Sequence, residues 1–208
     1  MRRNNLYYLI AVVLIAGITM AFAGSNLVPL AKGDVEDTRL ETITKEVSDE
    51  AFDKMMQVLT HKRCVNCHPS GDRPRQGEDS HYHNFGVRRG PDNHGVAALK
   101  CESCHQPENN NLSGVPGAPE WSLAPISMAW EGLSRVEIAQ SMLDPTKNGG
   151  RSLEEIVEHL TEHALVLWAW EPGIDAEGNP REKPPVPKEE YIQAVKEWAE
   201  SGAHIPAQ

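Results

Sequence analysis

Cys64-Val65-Asn66-Cys67-His68 and Cys101-Glu102-Ser103-Cys104-His105 hold all four cysteines of the chain in two copies of one pattern, Cys-x-x-Cys-His. Thiols at i and i+3 stand on one side of a helical turn, where each can add across a vinyl group of one porphyrin. The histidine that follows reaches the iron as its proximal ligand. Other uses of paired cysteines compete with this one: a zinc ribbon, two disulfides or a redox-active dithiol. None of the three accounts for a histidine directly after both second cysteines. The spacing therefore predicts two haem c groups bonded through Cys64, Cys67, Cys101 and Cys104, with His68 and His105 as proximal iron ligands.

Only 32 residues lie between His68 and Cys101. So short a stretch does not wrap one haem in a domain of its own, and the two haems are expected to share one core. Each iron has a second axial position, whose occupant decides between electron transfer and chemistry on small ligands. The stretch between the motifs offers no methionine but three histidines, His81, His83 and His94, and at least one is expected to be a ligand. Beyond the second motif the field is Met128, Met142, His159 and His163. Met142 shares the apolar side of a short helix with Ala139 and Leu143 and reads as core. Met128 lies in a loop that can present its sulfur to iron or fill a gap in the core. His159 and His163 fall four residues apart on one helix flank, where the helical angle puts His163 nearer the apolar centre. Trp121, Trp130, Trp168 and Trp170 are expected against the porphyrin faces.

The rest of the chain reads as mainly α with long loops, and no run alternates as a strand would. A first helix is expected over about 49–66, capped by Ser48, with Phe52, Met55, Met56 and Leu59 at helical spacing. Loop chemistry fills 69–93 and 106–125. Ser134 with Glu137, and Ser152 with Glu155, are capping boxes. They open a short helix that stops at Asp144-Pro145 and a longer one over 153–168. A last helix over 188–201 turns Tyr191, Ile192, Val195 and Trp198 inward and ends at Gly202.

Arg2 and Arg3 precede an apolar run over about 6–22 that closes on Ala21-Phe22-Ala23, the order of a secretory signal. Residues 1–23 are read as a signal peptide or, if retained, a membrane anchor. Residues 24–47 are read as a polar linker and 48–208 as the haem domain, in the periplasm or held at the inner membrane. The formal net charge is −10. An acidic surface repels nucleic acid and suits a partner with a basic docking patch, attracted in a salt-dependent way. It also serves solubility alone.

Several further stretches carry a resemblance. They are His83-Asn84-Phe85-Gly86-Val87-Arg88-Arg89-Gly90, Trp121-Ser122-Leu123-Ala124-Pro125, Asn148-Gly149-Gly150-Arg151 and Leu165-Val166-Leu167-Trp168-Ala169-Trp170-Glu171-Pro172-Gly173. With the two motifs, they resemble a group of small bacterial dihaem c-type cytochromes labelled isoquinoline 1-oxidoreductase subunit, over roughly residues 60–205. The label implies a cytochrome partner of a molybdenum hydroxylase. The resemblance implies a cytochrome c-like helical domain and marks His83, His159 and Met128 as distal ligand candidates, against the helical-angle preference for His163. The chain carries no molybdenum or flavin machinery of its own.

The expected function is extracytoplasmic electron transfer, as a carrier or as the electron-transfer subunit of a membrane-associated oxidoreductase complex, and not catalysis by this chain. A haem enzyme would need an open iron position beside acid–base groups. A haem sensor would need a signalling partner. Carbon monoxide separates the first two, since it binds only where iron is open.

Overall fold

The computed structural model describes residues 32–207, and they are mainly helical. The expected signal or anchor, and the first part of the expected linker, lie outside the described residues. Helix α1 runs Lys32–Leu59, α2 Lys62–Val65, α3 Arg135–Leu143, α4 Leu153–Glu162, α5 Ala164–Leu167 and α6 Lys188–Glu200. Among the described residues no helix is long and apolar enough to cross a membrane.

Helix α1 differs from its expected bounds at both ends. It begins 17 residues before Asp49, so the described part of the expected linker is helical. Its early turns hold side chains such as Ile43 and Val47 about half exposed, and such turns give no buried stripe to read. Ser48 is not a cap. It is buried, and its hydroxyl meets that of Ser201 at 2.8 Å, tying α1 to the end of α6. At the other end the backbone turns at Thr60-His61, and His61 Nδ1 accepts the Arg63 amide at 3.2 Å to open α2.

The inward stripe is the expected one. Phe52, Met55, Met56 and Leu59 of α1 are sealed against Tyr191, Val195 and Trp198 of α6, with Ile138, Ile156 and Leu160 closing the cluster. Helix α6 stops at Glu200, where Gly202 takes φ +85 and Trp198 Nε1 donates to the His204 carbonyl at 2.9 Å. Trp198→Ala is expected to cost about 3–5 kcal/mol, read as a lower urea midpoint, because its indole is fully buried and cannot be replaced by collapse.

Both capping boxes form. The Ser134 amide donates to Glu137 Oε2 at 2.7 Å, and the Ser152 amide to Glu155 Oε2 at 2.8 Å. The second helix is shorter than its pattern suggests. His163 takes φ −69 and ψ 124, breaks the helix after Glu162, and lets a further short turn of helix, α5, start at Ala164. Ala164, which an unbroken helix would carry on the same face as Leu153, Ile156 and Leu160, is exposed as a result.

Two antiparallel pairs, β1 (Arg75–Gln76) with β2 (His81–Tyr82) and β3 (Gly95–Val96) with β4 (Leu99–Lys100), correct the expectation of no strands. At two residues each they are too short to show alternation. Their role is local: β1–β2 fold back the loop that bears His83, and β3–β4 lead directly into Cys101.

Candidate haem-binding site

The first motif sits where α2 ends. His68 donates its amide to the carbonyls of Cys64 and Val65, so Cys64 and Cys67 share one helical turn. The second motif makes the same turn as a short 3-10 segment, with the His105 amide on the Cys101 carbonyl at 3.0 Å. No disulfide joins any of the four cysteines. Burial pushes the Cys64 thiol up to about 12 and the Cys67 thiol up to about 11. Thiols so held are poor thiolates, unlike those of a reactive dithiol. Among the described residues no group of three or more His, Cys, Asp or Glu gathers as a metal cage. Haem iron asks the chain for only two side chains, so a motif histidine with a second histidine or a methionine nearby is the arrangement to look for.

Each motif opens into its own cavity. Cavity 1, about 430 Å³, takes in Cys64, Cys67 and His68, and on its other walls Met128, Met142, His159 and His163. Cavity 2, about 930 Å³, takes in Cys101, Cys104 and His105 together with His81 and His83. Both fall within the ~300–1,000 Å³ common for cofactor sites. Arg63, Cys67, Ser122, Leu123 and Trp168 line both, so the two cavities share a wall.

The two motif histidines are held alike. His68 Nδ1 donates to the Met128 carbonyl at 2.7 Å, and His105 Nδ1 to the Pro116 carbonyl at 2.7 Å. A donor at Nδ1 fixes the tautomer that leaves the Nε2 lone pair bare, the form a metal takes. Each imidazole also lies flat on an indole: His68 on Trp130, centroids 3.6 Å apart and planes 12° apart, and His105 on Trp121 at 4.5 Å and 8°. One loop supplies both indoles. It is strapped to the first motif by the Ala124 amide on the Cys67 carbonyl and the Trp130 amide on the His68 carbonyl.

Burial holds His68 down to about 4, with nearby His159 pushing the same way, and burial followed by His163 holds His159 down to about 4. Both are thus neutral and hold a free lone pair at neutral pH. In cavity 2, burial and then His83 lower His105. The rings of His83 and His105 stand 6.0 Å apart at 73°. Two metal–imidazole bonds of about 2.0 Å, plus the two ring radii, span roughly that gap. His83 Nδ1 donates to the Asn84 carbonyl at 2.8 Å, the same tautomer lock.

The remaining candidates are placed differently. His163 Nε2 lies 3.3 Å from Glu120 Oε2, an exposed carboxylate, while its Nδ1 is buried without a partner among the described residues. His81 Nδ1 is tied to Asp79 at 2.5 Å on the surface, and His94 is exposed at the rim of cavity 1. Met128 meets His68 through its main-chain oxygen, and the residue also lines cavity 1. Met142 is 2% exposed and belongs to the core, as expected. Trp121, Trp130 and Trp168 line the cavities, but Trp170 does not. It is buried against Tyr191, donating to the Val186 carbonyl at 2.8 Å.

An orphan donor adds to the fit. Trp130 Nε1 is buried without a partner among the described residues, and a cavity occupant bearing acceptor oxygens would satisfy it. The residues present fit a haem at each motif. The carbonyl anchors and the buried Arg89 that braces these loops were beyond sequence reasoning, since a carbonyl carries no residue signature. Compared with known proteins, the chain matches no family model, no curated protein and no solved structure.

Proposed function

We propose that the chain is a dihaem c-type cytochrome that transfers electrons outside the cytoplasm, as a carrier or as the electron-transfer subunit of a membrane-associated complex. The observation that carries this reading is the matched treatment of the two motif histidines. Each is locked at Nδ1 by a carbonyl 2.7 Å away and lies in a cavity with its own cysteine pair and a second histidine.

In this reading His68 and His159 hold one iron and His105 and His83 the other, with Met128 serving as a backbone anchor. Haem iron, when bound, supplies one-electron chemistry. The chain's share is to tether, orient and partly dry the group. The thiols of Cys64, Cys67, Cys101 and Cys104 become thioethers. Two histidines at each iron would leave no open site there, which favours transfer over catalysis. The shared wall keeps the centres within one core. The apolar leader-like segment puts the domain in the periplasm, free or tethered at the inner membrane, and the acidic surface suits a redox partner with a basic patch. The resemblance to the isoquinoline 1-oxidoreductase subunit group makes a molybdenum hydroxylase one such partner.

Mass spectrometry of the acid-denatured mature protein is expected to show two retained haem masses, and the reduced spectrum is expected not to change under carbon monoxide. Zinc or disulfides in place of haem would overturn the reading. Rapid carbon monoxide binding would turn it towards a haem enzyme.

A further inference from the structure

The second site has a feature that binding alone does not need. His105 is clamped on two sides, by the Pro116 carbonyl on its Nδ1 and by the face of Trp121. Trp121 is itself backed by the edge of Trp168, centroids 4.9 Å apart at 83°. Trp168 Nε1 donates to Asn109 Oδ1 at 2.9 Å, and Asn109 also accepts the Gly117 amide at 3.0 Å and donates to the Glu171 carbonyl at 2.8 Å. Gly117 follows the carbonyl that anchors His105, and a Cβ there would come within 2.2 Å of the carbonyl oxygens of Gln106 and Glu108. The clamp is therefore closed from imidazole to backbone, and His105 has little freedom to rotate about its bond to a metal.

Resting on the dihaem reading, we infer that Trp121 is a positioning residue that holds the His105 imidazole crosswise to that of His83. The interplanar angle is 73°. The hydrogen bond at Nδ1 already favours one orientation of the ring, and the stacked indole opposes departure from it, because turning the ring breaks the face contact. Ring orientation bears on the iron's electronics. When two axial imidazoles lie parallel they split its π-type d orbitals and give a rhombic low-spin signal. When they cross, the two orbitals stay nearly degenerate and the signal becomes a single feature at large g.

The test is electron paramagnetic resonance of the oxidised holoprotein, frozen, beside the haem count by mass. One of the two low-spin signals is expected to be the large-g type and to vanish in His83→Ala, which assigns it to the second site. Trp121→Ala is expected to convert it to a rhombic signal, and Trp121→Phe, which keeps a flat ring, to retain it. Two rhombic signals and no large-g signal from the parent protein, an outcome that needs no variant to fold, overturn the inference. So does a large-g signal unchanged in Trp121→Ala. Absence of the second haem mass is a separate outcome, and it overturns the reading on which the inference rests.

Discussion

On the dihaem proposal, Cys64→Ala with Cys67→Ala is expected to abolish the cooperative thermal transition of the protein as well as remove one haem. Cavity 1 is cut into the main core, with Leu59, Ile156 and Leu160 in its walls as well as in the apolar cluster. At about 25 cal/mol per Å² of apolar surface, uncovering on the order of 200–400 Å² of wall and ring costs up to roughly 10 kcal/mol. That ceiling is comparable with the ~5–15 kcal/mol total stability of a domain. Water entry and collapse reduce the cost, but the margin is small. Calorimetry and near-ultraviolet circular dichroism check this. A sharp transition within a few degrees of the parent would mean that cavity 1 does not depend on an occupant.

The second large effect is expected at Arg89, a residue outside both cysteine motifs. Its side chain is 6% exposed, and burial lowers its pKa. One guanidinium nitrogen donates to the Ala124 carbonyl, and the other to the carbonyls of Gly71 at 2.9 Å and Pro69 at 3.4 Å. Three loops meet on it: the one leaving the first motif, the one entering the second, and the one that carries both stacked indoles. Arg89→Met fills similar space and leaves the carbonyls of Gly71 and Ala124 without a charged donor. Both acceptors are only part-buried, so the ~1–3 kcal/mol for a stranded acceptor applies at its lower end and a loss of about 2–3 kcal/mol is expected. Arg89→Lys should rescue little, because one ammonium cannot reproduce the fork. Urea denaturation of the holoprotein measures both, and a parent-like midpoint for Arg89→Met would refute the bracing role.

How much of this was legible beforehand follows from where the information resides. The Cys-x-x-Cys-His turns, both capping boxes and the inward face of α6 each depend on residue types at fixed short spacing, and the local geometry agrees with all of them. Ser48 had the right chemistry for a cap but found its partner in Ser201, far along the chain, and nothing local announces such a contact. The helix expected through Trp168 breaks at His163, whose apolar neighbours continue the helical period on both sides. Trp170 reads like its neighbour Trp168, yet a single turn separates core from cavity wall. The histidine anchors were the least legible. They are the carbonyls of Met128, Pro116 and Asn84, and main-chain oxygen is the same in every residue. Helix angle favoured His163 over His159, but it takes no account of Glu120, which engages His163 from a distant loop.

The wall common to both cavities has a consequence for how electrons would be stored. Cys67, Leu123 and Trp168 touch each compartment, so only a layer of side chains would insulate one redox centre from the other. Charge placed on one side is then felt on the other through a medium that screens far less than water. The first electron to arrive would make the second harder to add, wherever it came to rest. Loading would be anticooperative, favouring a half-filled molecule that takes one electron and hands one on.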